Sequence, residues 1–315
     1  MPSQHSSGDL LADRRYAYAE ACLAEGDARG AAEMAEQALD LAPRFAPAWL
    51  LLGRAREALH AASRSPADLQ GALGAYANAL DLDPEDRLGS RLRLAQLGVG
   101  DRLAAISPAY VRALFDGYAA RFERHLVGDL GYRGPEMLRA ALDAVAGPER
   151  RFARALDLGC GTGLMGAALA GRVGRLDGVD LSPRMLARAE RRGLYHGLVS
   201  GDLADALAGT EPGSLDLAVA ADVFIYLGDL RPVLAAVARA LAPAGLCAFT
   251  VQSHGGPGVT IGEDGRYAHS DAEVLAAAAA AGLAPRHFAE GAIRRQNGRG
   301  VPGRVVVLGL PDTVA

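Results

Sequence analysis

Lysine is missing from this chain: all 33 basic residues among its 315 are arginine. That excludes a lysine nucleophile or Schiff base, and it reads as codon bias in an Ala/Arg/Gly-rich sequence. Cysteine is scarce. Cys22, Cys160 and Cys247 lie far apart with no C-x-x-C pair, which argues against a disulfide framework and a structural zinc site. No cluster has metal-ligand spacing, so no metal is expected. Positive charge is not in excess. The formal net charge of −4 provides no electrostatic footprint for nucleic acid or an anionic membrane, and neither is expected as a partner. No apolar run approaches the length of a membrane span, and the polar segment Met1 to Asp9 lacks both a basic start and an apolar stretch. A frayed end and a cytoplasmic location are the expectations. Aromatic residues make up only 5% of the chain, while half of it is apolar, enough to bury a proper core across two domains.

What is present centres on Ala155 to Gly166, Ala-Leu-Asp-Leu-Gly-Cys-Gly-Thr-Gly-Leu-Met-Gly. An apolar run with an acid near its end, three glycines on alternate positions and then an Ala/Leu-rich segment predict a strand turning tightly into a helix. Such a turn lets a ligand approach the backbone, with N–H groups left free to donate. From Phe152 onward strands and helices alternate, with strands predicted near Arg154 to Leu158, Arg175 to Asp180, Tyr195 to Ser200, Leu215 to Ala221 and Leu246 to Gln252. The alternation implies right-handed crossovers and a parallel sheet covered on both faces, with ligands at the carboxyl ends of its strands. Ala289 to Gln296, a turn at Asn297 to Gly300, and Arg304 to Leu310 predict a closing antiparallel pair.

The first hundred residues are helical in pattern and repeat internally. Ala31-x3-Ala35-x2-Ala38-Leu39-Asp40-Leu41-Ala42-Pro43 returns as Ala72-x3-Tyr76-x2-Ala79-Leu80-Asp81-Leu82-Asp83-Pro84, and Trp49-x3-Gly53 lies between them. This resembles the tetratricopeptide repeat, with units Ala12 to Pro43 and Ala46 to Pro84, a solvating helix at Arg87 to Leu97, and about seven residues beyond the usual 34-residue period, assigned to Ala61 to Asp68. Such arrays commonly bind a peptide or protein; burial of surface alone is the other reading. Since about three repeats are usually needed for stability, the helices are expected to dock on the following domain or on a second copy, making a homo-oligomer.

Between the two regions, Ser107 to His125 predicts a helix with Ser107 as N-cap and Pro108 at its first position. Tyr118, Phe122 and His125 share one face. That face is either a core stripe or a lid over the ligand. A further helix follows Tyr132 to Pro135 and ends at Gly147-Pro148. The expected domains are 1–98, a linker with cap helices over 99–150, and 151–315.

Asp157-Leu-Gly159-Cys160-Gly161-Thr-Gly163, Gly178-Val-Asp180-Leu181-Ser182, Gly201-Asp202-Leu203 and Leu215 to Asp222 occur in the order seen in class I S-adenosylmethionine-dependent methyltransferases, which Pro108 to Leu310 resembles. The resemblance implies a Rossmann-like α/β fold, a doubly wound, mostly parallel seven-stranded sheet with an antiparallel C-terminal hairpin, here preceded by an all-α domain. Asp157 would meet the cationic amino group of S-adenosylmethionine, the glycines would pass close to its methionyl part and ribose, and Asp180 has two acceptor oxygens for the ribose hydroxyls. Leu181 and Leu203 would lie by the adenine, and Asp202 would accept from its amino group. Tyr118, Cys160, Ser182 and Asp222 complete the expected donor site, with the loop Ala221 to Tyr226 approaching the methyl group. For each acid taken singly, helix N-capping or strand-end solvation is the alternative. Gly161-x-Gly163-x-x-Gly166 also satisfies a dinucleotide fingerprint, so a nicotinamide oxidoreductase is a rival reading, but it leaves Asp157, Gly201-Asp202-Leu203 and the hairpin idle.

The repeats, the Tyr110 to Phe122 helix and Gly265-Arg266-Tyr267-Ala268-His269-Ser270 are similar to a bacterial subgroup of repeat-containing methyltransferases, and the cofactor half is similar to malonyl-carrier-protein and other small-carboxylate O-methyltransferases. Methyl transfer from a sulfonium needs mainly alignment and desolvation, and a base only where the acceptor must lose a proton. His269, His254 and Tyr226 are the candidate catalytic groups. Phe122, His125, Arg266 and Tyr267 are the candidate substrate contacts, and His254 to Gly265 is read as a mobile rim over the acceptor. The function expected is methyl transfer to a peptide, protein, carrier-bound or small-molecule acceptor. The alternative is an interaction scaffold that retains the cofactor fold without catalysis.

Overall fold

The computed structural model describes residues 6–119, 122, 131–296 and 298–311. The chain divides into two compact units, Met1–Ala113 and Leu114–Ala315. Residues 99–113 therefore group with the helices before them. No helix among the described residues is long and apolar enough to cross a membrane.

The first unit holds α1 (Leu10–Ala24), α2 (Ala28–Leu41), α3 (Ala46–Ser63), α4 (Pro66–Leu82) and α5 (Ser90–Gln96), and α6 (Pro108–Tyr118) begins in it. The internal repeat of the sequence is matched by a repeat of structure. α2 and α4 end at the equivalent leucines, and the next backbone N–H donates in the same way in both, Ala42 to Ala38 and Asp83 to Ala79. Ala31, Ala35 and Ala38 are sealed from solvent, as are their counterparts Ala72, Tyr76 and Ala79. Small residues let paired helices approach closely: a Cβ on Gly53 would stand 2.5 Å from the Tyr76 ring. Asp27 caps α2 and Ser65 caps α4, each accepting from a helix N–H that has no intrahelical partner. The additional residues of the second repeat form the end of α3 and the start of α4, parted only by Arg64 and Ser65.

The second unit continues with α7 (Gly134–Ala146), β1 (Phe152–Leu158), α8 (Leu164–Ala168), β2 (Val173–Asp180), α9 (Pro183–Glu190), β3 (Gly197–Ser200), α10 (Leu203–Ala208), β4 (Leu215–Ala220), a 3-10 turn (Phe224–Tyr226), α11 (Arg231–Ala240), β5 (Leu241–Ser253), β6 (Val259–Ile261), β7 (Tyr267–His269), α12 (Asp271–Ala280), β8 (Ala284–Gln296) and β9 (Arg299–Gly309). The sheet order is β3-β2-β1-β4-β5-β7-β6, with β9 on the other edge of β5 and β8 outside β9. β3, β2, β1, β4 and β5 are parallel, while β9 runs antiparallel to β5 and β8 antiparallel to β9.

Strand alternation feeds two cores. Leu156 and Leu158 of β1, Ala218 and Ala220 of β4, and Val306 and Leu308 of β9 face α11 and α12. Ala155, Leu217, Val219, Val305 and Val307 face α7 and α8. A period of two across a parallel sheet covered on both sides produces these near-continuous apolar strands.

The sheet has nine strands rather than the expected seven. Of the two extra, β6 arises inside the Gly/Pro-rich stretch His254 to Gly265 read as a rim, and β7 follows directly after it. At three residues each they are too short to betray themselves by alternation. β7 pairs with Gln252 and Ser253 of β5, on the edge that β4, whose pairing stops at Phe249, leaves open. The predicted helix from Ser107 is observed to Tyr118, and His125 lies outside the described residues.

Candidate donor and acceptor sites

The sheet order reverses at β1, with β2 on one side and β4 on the other, so crossovers leave β1 in opposite directions and open a crevice at its carboxyl end. The glycine turn occupies that point. Gly159 and Cys160 both donate to the Val179 carbonyl, and Gly163 closes the turn onto Cys160. At Gly161, with φ +54°, the backbone is left-handed, and a Cβ would meet nothing nearer than 4.0 Å. This glycine leaves open space for a ligand.

Two carboxylates flank the turn. Asp180, ending β2, accepts from the N–H of Gly161 (2.9 Å) and of Ser182 (2.8 Å). Burial raises its pKa, those two N–H groups pull it back, and Asp116 adds to the rise. Asp157 on β1 is 1% exposed and accepts from the Tyr195 hydroxyl at 2.6 Å. Burial pushes its pKa up to about 7 against that hydrogen bond, with Asp180 adding to the rise. Desolvation disfavours the charged form unless a cation or donors compensate it. Among the described residues, the hydrogen bonds to both acids come from neutral donors.

Ser182 caps α9 by accepting from Met185 and donates its hydroxyl to Asp116 of α6 (2.6 Å). Leu181 stands half-buried between Asp180 and this cap. The last turn of α6, in the second unit, is thus tied to the α9 cap that follows β2. Phe115 and Tyr118 of α6 each meet Phe122 edge to face, and Phe115 meets Tyr226 in the same way at 5.6 Å. The aromatic face is a cap tied to the site. Asp202 caps α10 by accepting from Ala204, and Leu203 packs on the core of the α11 face.

Beyond β4 the electrostatics change sign. Asp222 has a left-handed φ of +59°, a strained setting for a residue other than glycine. Its N–H donates to Thr250, and its carboxylate accepts from Arg294 of β8 through both oxygens, at 2.9 and 3.2 Å. Arg294 is 2% exposed and also donates to Gln252 and Asp264. Arg266 joins by donating to Asp264 and to the Tyr226 hydroxyl, each at 3.4 Å. Tyr132 is buried where it feels both Asp222 and Asp157.

The remaining candidates sit apart from solvent or from open space. His254 uses both ring nitrogens inside its own loop, accepting from Gly256 at Nδ1 and pairing Nε2 with the Gly258 carbonyl. His269 is sealed in β7 with neither nitrogen in a well-formed hydrogen bond among the described residues, and burial pushes its imidazole down to about 4. Tyr267, its neighbour, is 1% exposed. Sequence reasoning passed over Asp116, Tyr195, Asp264 and Arg294. An aromatic before a strand reads as core, and an arginine in an edge hairpin as a solvated side chain.

Residues 155–245 match the methyltransferase domain family. Over 100 residues the chain is 32% identical to the ubiquinone biosynthesis O-methyltransferases of Burkholderia vietnamiensis and Burkholderia cenocepacia. That alignment covers 31% of this chain and 43% of each relative, so the chain spans less than half the length of the curated relatives it matches. Among solved structures, a chain of the Haloferax volcanii complex between the Trm112 methyltransferase activator and a putative methyltransferase superposes with a TM-score of 0.51 at 22% identity, over 65% of this chain and 99% of that one. The glycine turn, the strand reversal at β1 and the antiparallel β8–β9 edge thus make the fold of class I S-adenosylmethionine-dependent methyltransferases, and residues 155–245 carry a methyltransferase domain.

Proposed function

We propose that this protein binds S-adenosylmethionine at the ends of β1 and β2 and transfers its methyl group to an acceptor held beside Tyr226 and Arg266. The observation that carries the reading is the pair Asp157 and Asp180, carboxylates on either side of the open Gly161 that are buried with no cation in hydrogen-bond contact among the described residues. A ligand with a cationic amino group and vicinal hydroxyls supplies what they lack. Asp157 would face the ammonium, Gly161 would admit the ligand against the backbone, Asp180 would accept from ribose hydroxyls with its lone pairs beyond those used by Gly161 and Ser182, and Leu181 would flank adenine. Asp202 would accept from the adenine amino group through the oxygen not engaged in capping α10. When bound, the sulfonium supplies an electrophilic methyl group. Calorimetric titration with S-adenosylhomocysteine tests the reading, and a flat titration overturns it.

At the acceptor end the chain aligns and desolvates. Asp222 is held by Arg294, His254 is engaged in its loop and His269 is sealed. Among the described residues this favours an acceptor that is already nucleophilic near neutral pH. Phe115, Tyr118, Phe122 and Tyr226 would exclude water around it, and Arg266 would hold an oxygen of it.

The helical unit has the pattern of a tetratricopeptide array and is read as the recognition module for a peptide, a protein or a carrier-bound acceptor, or for a second copy of the chain. Leu10, Leu11 and Tyr18 of α1 are 81%, 48% and 62% exposed. Replacing Leu11 and Tyr18 by aspartate should leave S-adenosylhomocysteine binding intact while reducing methyl transfer from labelled donor to lysate protein. Undiminished transfer would remove α1 from acceptor recognition.

A further inference from the structure

Tyr195 precedes β3 and matches no motif, yet three glycines and Asp157 converge on it. A Cβ placed on Gly163, Gly166 or Gly178 would stand 3.1, 2.7 or 2.9 Å from an atom of its side chain. Side-chain contacts that short force a shift, so the ring occupies the space that these glycines vacate. The hydroxyl links the two halves of the donor site. It donates to the Asp157 carboxylate at 2.6 Å and accepts from the N–H of Gly166 at 3.2 Å, a first-turn donor of α8 with no helical partner. Asp157 and Gly178 are paired neighbours on β1 and β2, which is why one side chain lying over Gly178 reaches the carboxylate.

We propose that Tyr195 is the positioning residue of the donor site. Its ring is the template over which the glycine turn closes, and its hydroxyl fixes the Asp157 carboxylate in the orientation that meets the ligand's ammonium. This rests on the donor reading above and divides the glycines by role. Gly161 is open toward the ligand, Gly163 is required by its left-handed φ of +86° and by Arg192 as well as Tyr195, and Gly166 and Gly178 are glycine on account of Tyr195. The hydrogen bond also favours the ionised carboxylate, the form that attracts a cation.

The test titrates the full chain with S-adenosylhomocysteine between about pH 6 and 8, the range in which a carboxyl titrating near neutrality changes charge. Tyr195→Phe keeps the ring and removes the hydroxyl. It should melt close to the unaltered protein, bind the probe about tenfold more weakly at neutral pH, the size of one hydrogen bond to a charged group, and show its pH midpoint moved upward. A purely structural ring would leave that midpoint in place. Gly166→Ala should weaken binding in the unaltered chain but lose most of that effect in a Tyr195→Ala background, because the clash is then gone. Native affinity and an unchanged midpoint in Tyr195→Phe overturn the hydroxyl's role, and simple additivity of Gly166→Ala with Tyr195→Ala overturns the template. If the unaltered protein does not bind the probe, the donor reading falls and takes this assignment with it. Binding by the unaltered protein with an indifferent Tyr195→Phe sinks the assignment alone.

Discussion

Four buried or half-buried acids stand at one edge of the same sheet, and the two ends of that edge treat them oppositely. At β1 and β2, Asp157 and Asp180 are met by a phenol and backbone N–H groups, and burial raises both pKa values. Beyond β4, Asp222 and Asp264 are met by Arg294 and Arg266. An isolated buried charge is disfavoured by several kcal/mol unless it is paired, so the second pair is complete within the protein, while the first has no cationic partner in hydrogen-bond contact among the described residues. The contrast separates acids that face neutral donors from acids that arginines tie into the architecture, even though Asp157, Asp180 and Asp222 all lie where a sequence motif would place a functional acid.

The contrast can be broken most severely at its paired end. Arg294→Met leaves Asp222 and Asp264 buried without their shared cation and should destabilise the protein by about 3–5 kcal/mol, read as a drop in chemical-denaturation midpoint. A midpoint equal to the native one would mean that these acids are not held by the arginine. Gly161→Val comes next. A β-branched residue at a left-handed φ, filling the one open face of the turn, should reduce S-adenosylhomocysteine affinity more than about a hundredfold, a few kcal/mol of strain and obstruction. Asp180→Ala should follow, weakening the same binding by about 2 kcal/mol if charged hydrogen bonds to ribose are lost. Calorimetry giving native affinity would remove Asp180 from the site.

The smallest and most diagnostic effect concerns pH. Asp157 titrates near 7 in the folded chain, above its unfolded value of 3.8. Its contribution to stability is therefore fully present below about pH 4 and is lost as pH rises through 7. Probe affinity should move the other way, strengthening as the carboxylate ionises to face an ammonium. Asp157→Asn should flatten both slopes in thermal melts and in titrations across that range. Persistence of either slope in this variant would assign it to another group.

Much of this was legible before any tertiary structure. The Leu-Asp-Leu-x-Pro repeat marks the ends of α2 and α4 because proline and the break before it stop a helix locally. The glycine turn, the parallel strands before and after it and the final hairpin follow from period and turn chemistry, which act within a few residues. The three-residue strands β6 and β7 did not, since their pairing depends on an edge of β5 left open by the length of β4. Nor did the burial of His269 or the closed hydrogen bonding of His254, both of which the sequence allows to be solvent-facing bases.

The sequence alone determined the order of the longer strands and helices and placed an acid at the end of each of the first strands, because backbone preference and hydrophobic period are short-range properties. Only the tertiary structure decided which acids have partners. Tyr195 reaches Asp157 across 38 positions and Arg294 reaches Asp222 across 72. Those pairings depend on how β1, β2 and β8 are laid side by side, and strand register is set by the packed sheet as a whole.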